Sequence, residues 1–117
     1  MIQLKRVYDK DLPKDAFKVL VDRLWPRGIS NNDGIVDAWY KEISPSNDLR
    51  KWYNHDPDKW ELFKERYKKE LVGREDILKE ILRLEKQHKK ILLLYSSKEE
   101  NLNNAVALKE VLSSMTR

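Results

Sequence analysis

The chain has 117 residues and a formal net charge of +4, from 24 Lys and Arg against 20 Asp and Glu. This length fits one domain, and the supply of Trp, Leu, Ile and Val excludes a disordered chain. No cysteine is present, which excludes disulfide bonds, thiolate zinc sites and a cysteine nucleophile. The two histidines, His55 and His88, are too few to supply a histidine-based metal centre, so we predict no metal site.

The sequence pattern is that of a protein without a membrane span or secretory signal. Its longest apolar run, residues 91–95, is far shorter than the roughly 18–20 residues that a membrane span needs. The first residues lack the apolar stretch of a secretory signal. We therefore expect a cytoplasmic protein with no membrane partner. The charges are mixed along the chain, so the small positive excess is weak support for a nucleic-acid partner.

The first third of the chain predicts two strands and then a helix. Residues 2–8 mix apolar and charged positions, and residues 17–24 are rich in apolar and β-branched side chains, as is typical of strands. Pro26 cannot donate to a ladder of hydrogen bonds, so the second strand ends before it. Ser30 is a suitable N-cap, and the apolar residues that follow have helical spacing, which predicts a helix over 30–43.

The rest of the chain predicts mainly helices around one strand. The clearest start signal is Asp56-Pro57, because Asp is a preferred N-cap and Pro at the first helical position loses no intrahelical hydrogen bond. The run at residues 91–95 is apolar throughout, as in a strand covered on both faces. The predicted elements are a short helix after Ser46, a helix over 57–72, a helix from about 75 to 90, a strand over 91–95 and a helix that begins at Asn101 or Asn103.

These elements predict an α/β fold. We expect residues 1–117 to form a single small domain, with a short, mostly parallel sheet of about three strands flanked by four to five helices. The strands over 17–24 and 91–95 are expected to be parallel neighbours.

The carboxyl ends of these two strands predict a binding pocket, because ligands of open α/β sheets bind there. Paired guanidinium groups match phosphate or carboxylate oxygens, amides at a helix start add donors, and a tryptophan provides an apolar wall. We predict a pocket for a small anionic or polar ligand, such as a nucleotide, a phosphorylated sugar or a carboxylate. Its predicted binding residues are Arg23, Trp25, Arg27, Gly28, Tyr95, Ser96, Asn103 and Asn104. As an alternative, Arg23 pairs with a structural carboxylate and Arg27 is a solvated loop charge.

Three residues are candidates for acid–base catalysis: Asp22, His55 and Asp56. Each also has a structural explanation. Helix capping alone accounts for Asp56, and His55 fits an exposed or aromatic-stacked loop residue. Asp22 and its neighbour Arg23 alternate along a strand, so they point to opposite faces unless the strand bends at its end.

Five motifs in the sequence resemble those of one family, the YeaO-like proteins, also called the domain of unknown function 488 family. The most specific is VLVDRLWPRG at residues 19–28. The others are WYKEISPS at 39–46, LRKWY at 49–53 followed by His55-Asp56, LLYS at 93–96 and Asn-Asn-Ala at 103–105. The resemblance spans essentially the whole chain.

The resemblance implies a small bacterial or archaeal cytoplasmic α/β domain and names no reaction. In this family the last motif commonly reads Asn-His-Ala, so Asn104 stands at the histidine position. Asparagine forms hydrogen bonds but does not shuttle protons near neutral pH, which favours binding over chemistry at that position.

Three hypotheses follow from the sequence. The leading one is a ligand-binding domain, or an enzyme that acts on a nucleotide-like or phosphorylated small molecule; no cofactor is indicated. The second is a nucleic-acid-associated or regulatory interaction module without catalysis. The third is a scaffold in which the motif residues form a buried ion-pair network.

Overall fold

The structure, a computed structural model, describes residues 1–115 and has an α/β architecture. Three of its helices are long, and the first has only seven residues. Among these residues, no helix is long and apolar enough to cross a membrane. The elements are β1 (Ile2–Arg6), β2 (Phe17–Leu20), β3 (Ala38–Trp39), α1 (Asn47–Tyr53), α2 (Trp60–Leu71), α3 (Glu75–His88), β4 (Ile91–Tyr95) and α4 (Asn104–Met115), with short 3-10 turns before α1, α2 and α3.

The sheet has the strand order β1-β4-β2-β3, and every neighbouring pair is parallel. It therefore has four strands rather than the predicted three. The prediction that the second strand and residues 91–95 are parallel neighbours is confirmed, with Phe17 opposite Ile91 and Leu20 opposite Leu94. All five residues of β4 are buried, as their apolar character predicted. β2 is shorter than the predicted 17–24, because residues 22–24 form a bend.

Side chains alternate between the two faces of the sheet, and each face has its own apolar cluster. On the first face, Val19 and Leu93 pack with buried residues of all four helices. On the second face, Leu20 and Leu94 pack with residues of the loops, including the partly buried Trp25. The helices thus cover one face of the sheet and irregular loops cover the other. This division decides which of the predicted site residues share a surface.

The predicted helix over 30–43 is wrong. Residues 30–37 lie in turns and loops, residues 38–39 form β3, and Lys41–Ile43 is one 3-10 turn. Contacts with β2 account for the difference. The backbone N–H of Asp37 donates to the carbonyl of Lys18 (2.8 Å), and the Lys18 N–H donates to the Asp37 carboxylate (2.8 Å). These bonds draw the segment onto the sheet edge as a strand, so tertiary pairing overrides the helical spacing of its apolar residues.

The predicted helix starts at Ser46 and Asp56 are confirmed. The Ser46 hydroxyl accepts from the N–H of Leu49 (3.1 Å), and the Asp56 carboxylate accepts from the N–H of Asp58 (3.0 Å). Ser46 is also tied to α2, because its N–H and its hydroxyl donate to the two carboxylate oxygens of Glu70, at 2.9 and 2.6 Å. The start of α1 is thereby fixed against α2.

We expect Ser46→Ala to lower the free energy of unfolding by about 1 kcal/mol, because it removes the N-cap of α1 and a hydroxyl donor to Glu70. Urea unfolding measures the change. Ser114→Ala is the matched control, since Ser114 is exposed and its hydroxyl donates only to Val111 in its own helix. A loss no larger than that of the control would contradict the capping role.

Candidate functional site

A cleft of about 930 Å³ lies where the carboxyl ends of β2 and β4 meet α1 and the start of α4. Its walls come from three segments of the chain: the bend after β2, the region around α1, and the loop between β4 and α4. The lining residues are Asp22, Arg23, Leu24, Ser44, Pro45, Asn47, Arg50, Lys51, Tyr53, Asn54, His55, Pro57, Phe63, Ser96, Ser97, Lys98, Glu99, Leu102, Asn103 and Asn104. The cleft therefore lies at the edge of the sheet formed by the carboxyl ends of β2 and β4, the edge for which a binding pocket was predicted.

Asp22 links the three elements that end or begin at this edge. One of its carboxylate oxygens accepts from both the N–H and the hydroxyl of Ser96, each at 2.8 Å. The other oxygen accepts from the side-chain amide of Asn104 (3.2 Å), which also donates to the carbonyl of Val21 (3.3 Å). The carboxylate thus connects the end of β2 to the end of β4 and to the first turn of α4.

Arg23 also lines the cleft, beside Asp22. The strand bends after Leu20, which removes the alternation that would have pointed the two side chains to opposite faces. One terminal nitrogen of Arg23 donates to the carbonyl of Pro45 (3.2 Å), and its buried Nε has no hydrogen-bond partner among residues 1–115. None of the ion pairs within 4.0 Å in this part of the chain includes Arg23. No carboxylate oxygen of residues 1–115 therefore lies within 4.0 Å of its guanidinium nitrogens.

Three more cations line the cleft: Arg50, Lys51 and Lys98. All three are exposed, and none belongs to an ion pair among the described residues. Arg50 donates to the side-chain oxygen of Asn47 (3.3 Å). The lining has two carboxylates, Asp22 and Glu99, against these three cations and Arg23. The cleft therefore carries a net positive charge, which attracts anions.

The apolar part of the lining includes two aromatic rings. Tyr53 and Phe63 stack with a centroid distance of 4.3 Å, and both are buried. The Tyr53 hydroxyl donates to the carbonyl of Leu102 (2.8 Å), which connects α1 to the loop before α4. Burial, followed by the nearby Glu99 and Asp56 carboxylates, raises the pKa of Tyr53, so this hydroxyl is neutral at physiological pH.

Asn103 and Asn104 occupy the start of α4 in different ways. The side-chain oxygen of Asn103 accepts from the N–H of Val106 (3.0 Å), and its amide donates to the carbonyl of Glu99 (2.7 Å). Asn103 is thus the cap of the helix, and it is buried. Asn104 faces Asp22. Both predicted residues line the cleft, yet each already has a structural partner.

The structure does not bring Arg27, Trp25 and Gly28 into the cleft. Trp25 packs with the cluster on the second face of the sheet, and its indole N–H donates to the carbonyl of Ile29 (2.6 Å). Arg27 is exposed, and its carbonyl accepts from the Tyr8 hydroxyl (2.7 Å). Gly28 has a φ of +82°, which suits a turn that only glycine adopts easily. The expected convergence of Arg27 with Arg23 therefore does not occur.

Tyr95 and Asp56 are also not among the lining residues. Tyr95 is buried at the end of β4, and its burial, together with the charges of Glu100 and Asp9, raises its pKa. Asp56 serves as the cap before α2. His55 does line the cleft, and it is exposed. It follows Asn54, and both have left-handed backbones, with φ values of 55° and 45°.

Sequence reasoning missed the cations of α1 and the support from β1. Arg50 and Lys51 line the cleft because α1 borders it together with the strand ends, which the sequence alone did not indicate. Arg6 of β1 holds the loop after β4 in place, because its Nε donates to the carbonyls of Ser96 and Ser97, each at 3.1 Å. Among the missed cations of the cleft, only Lys98 had a signal in the sequence, because it lies three residues after the end of β4 at the edge where the pocket was predicted.

Comparison with known proteins identifies the family. The family model described as "Inactive DUF488-N3 subclade" matches residues 1–117, and the chain is 41% identical over 114 residues to the uncharacterized protein YeaO of Escherichia coli strain K12. The chain belongs to the YeaO-like DUF488 family. The alignment covers 97% of the chain and 98% of YeaO, so the resemblance predicted from the motifs is confirmed.

A second group of relatives covers part of the chain. The uncharacterized protein Rv3073c of Mycobacterium tuberculosis strain H37Rv is 44% identical over 70 residues, which are 60% of this chain and 59% of that protein. No solved structure matches the chain.

Proposed function

We propose that this YeaO-like chain binds a small anion, such as a nucleotide-like molecule or a phosphorylated metabolite, in the cleft between β2, β4, α1 and α4. The observation that supports this most directly is the state of Arg23. Its guanidinium lines the cleft with one hydrogen bond to a carbonyl and without an ion pair among residues 1–115. A buried donor without an acceptor costs about 1–3 kcal/mol, and a bound anion would supply the acceptor after a small rotation of the side chain.

The other cations strengthen this proposal. Arg50, Lys51 and Lys98 approach the cleft from α1 and from the loop after β4, so they surround a concave space instead of following one face of the molecule. A concave cationic site suits a compact anion, whereas a nucleic-acid backbone needs an extended track. The scaffold hypothesis requires an ion-pair network, and Arg23 has no carboxylate partner among the residues that the structure describes.

We further propose that the site binds its ligand without catalysis. Asp22, the best-placed carboxylate, already accepts three hydrogen bonds from Ser96 and Asn104. A general base must reach a proton of the ligand, and these bonds hold the carboxylate in a structural role. Asn104 at its side has no group that exchanges protons near neutral pH. The family model that matches the chain is described as inactive, which agrees with this proposal.

The test compares two arginines of the same motif. A thermal-shift screen with nucleotides, sugar phosphates and carboxylates first selects an anion, since a ligand at 100 times its dissociation constant adds about 2.7 kcal/mol to stability. Calorimetry then measures its affinity for Arg23→Gln and Arg27→Gln. We expect Arg23→Gln to weaken binding about tenfold or more, because charge-assisted hydrogen bonds contribute about 1.5–3 kcal/mol.

Arg27→Gln is the matched control and is expected to bind like the wild type, because Arg27 is exposed and outside the cleft. Equal losses in the two variants would contradict the proposed site. A wild-type protein that binds none of these anions would contradict the function itself. Titration with DNA and RNA at moderate salt tests the alternative, and tight binding that weakens steeply with salt would favour the nucleic-acid module.

A further inference from the structure

We infer that the ligand of this cleft is an organic anion whose charged group is attached to an apolar, planar group, and that a polyhydroxylated sugar phosphate is a poor ligand. The inference rests on the proposed anion-binding function and narrows its ligand class. It depends on which lining side chains already have partners and which do not.

Most polar side chains of the cleft already form hydrogen bonds within the protein, either with backbone groups or with one another. Both carboxylate oxygens of Asp22 accept hydrogen bonds, from Ser96 and from Asn104. One carboxylate oxygen of Glu99 accepts from the N–H groups of Asn101 and Leu102. The amides of Asn103 and Asn104 donate to Glu99, Asp22 and Val21. A site that reads sugar hydroxyls needs several available acceptors and donors, and here most of them are occupied.

The apolar side chains, in contrast, face the cleft without a polar partner of their own. Leu24 is 68% exposed and lines the cleft next to Arg23. Pro57 lines it from the 3-10 turn before α2, and Leu102 lines it from the loop before α4. The stacked rings of Tyr53 and Phe63 also belong to the lining. An apolar group bound here would remove this surface from water, which favours binding.

The size of the cleft agrees with such a ligand. Its volume of about 930 Å³ lies at the upper end of the range for sites of drug-sized molecules, roughly 300–1,000 Å³. Inorganic phosphate would fill only a small part of it. The cations Arg23, Arg50, Lys51 and Lys98 would hold the anionic group, and the apolar lining would hold the rest of the molecule.

Three probes that share one phosphate group test the inference: phenyl phosphate, glucose 6-phosphate and inorganic phosphate. Calorimetry at one ionic strength and pH measures their affinities for the wild-type chain. We expect phenyl phosphate to bind about tenfold more tightly than the other two, because only its ring is buried against the apolar lining. Glucose 6-phosphate is expected to resemble inorganic phosphate.

Two leucine variants test whether the preference for phenyl phosphate arises in the cleft. Leu24→Ser is expected to reduce the preference for phenyl phosphate about threefold and to leave the affinity for inorganic phosphate unchanged. Leu62→Ser is the control, because Leu62 is 50% exposed and lies outside the cleft, and it should retain the wild-type preference. Both residues are exposed, so neither substitution disturbs the core.

The outcomes separate this inference from the proposed function. Equal affinities for the three probes, or tighter binding of glucose 6-phosphate, would overturn the inference and leave anion binding intact. A preference for phenyl phosphate that Leu24→Ser and Leu62→Ser reduce equally would also overturn it. If none of the three probes binds, the proposed function fails together with the inference.

Discussion

Asp22→Ala is expected to lower the free energy of unfolding by about 3 kcal/mol, because the N–H and hydroxyl of Ser96 and the amide of Asn104 lose their common acceptor. Hydrogen bonds to a charged group contribute about 1.5–3 kcal/mol each, and donors left partly buried without a partner add a cost. The substitution also removes the carboxylate that connects the ends of β2 and β4 to α4. Urea unfolding at neutral pH, followed by circular dichroism, measures the loss.

Two further variants make this result specific. Asp22→Asn keeps the shape of the side chain and one acceptor oxygen, so it should lose less than Asp22→Ala. Asp11→Ala removes an exposed carboxylate in the loop before β2 and should change stability by less than about 0.5 kcal/mol. A loss below about 1 kcal/mol for Asp22→Ala would show that the carboxylate is not a structural link, and it would return Asp22 to the catalytic candidates.

The second large effect is expected at alkaline pH and comes from Tyr67. This side chain is buried in α2, and its hydroxyl donates to the carbonyl of Ile43 (2.5 Å). Burial, and after it the charges of Glu70 and Asp22, raises the pKa of Tyr67 above its ordinary value of 10.0. The unfolded chain ionises near pH 10 while the folded chain keeps the phenol neutral. The contribution of Tyr67 to the free energy of unfolding is therefore fully present below pH 10. Above pH 10 the free energy of unfolding falls by about 1.4 kcal/mol per pH unit.

Tyr67→Phe tests this pH dependence. At pH 7 the variant should be less stable than the wild type by about 1 kcal/mol, because the Ile43 carbonyl loses its donor. Above pH 10 the difference should shrink and then reverse near pH 11, since phenylalanine does not ionise in the unfolded chain. Ile43→Val is the control, as it weakens the same region by packing alone and should lower stability equally at every pH. Parallel curves for wild type and Tyr67→Phe would contradict the prediction.

The sequence predicted the parts of the fold that depend on local signals. Ser46 and Asp56 act as caps because their side chains bond amides two or three residues away. The apolar run at 91–95 predicted the buried central strand, since it has no polar face to expose. The family resemblance was predictable because its motifs are long and specific.

The predictions that failed depend on contacts between distant residues. The segment over 30–43 has helical spacing, yet Asp37 pairs with Lys18 on the neighbouring strand and pulls the segment into the sheet. Arg23 and Arg27 are four residues apart, but the chain bends between them and leaves only Arg23 in the cleft. The roles of Arg50 and Lys51 depend on where α1 packs, which no local pattern in these residues indicates.

The strand order has a consequence for how the protein assembles during its synthesis. β1 and β2 leave the ribosome before β4, but neither pairs with the other, because β4 lies between them. Ile2 pairs with Ile91, and Phe17 pairs with the same residue, so the middle of the sheet forms only after β4 has been made. Pairings of such long sequence separation form slowly. Until β4 emerges, the apolar faces of the first two strands remain exposed to aggregation, so the pairing of β4 is the step that completes the sheet.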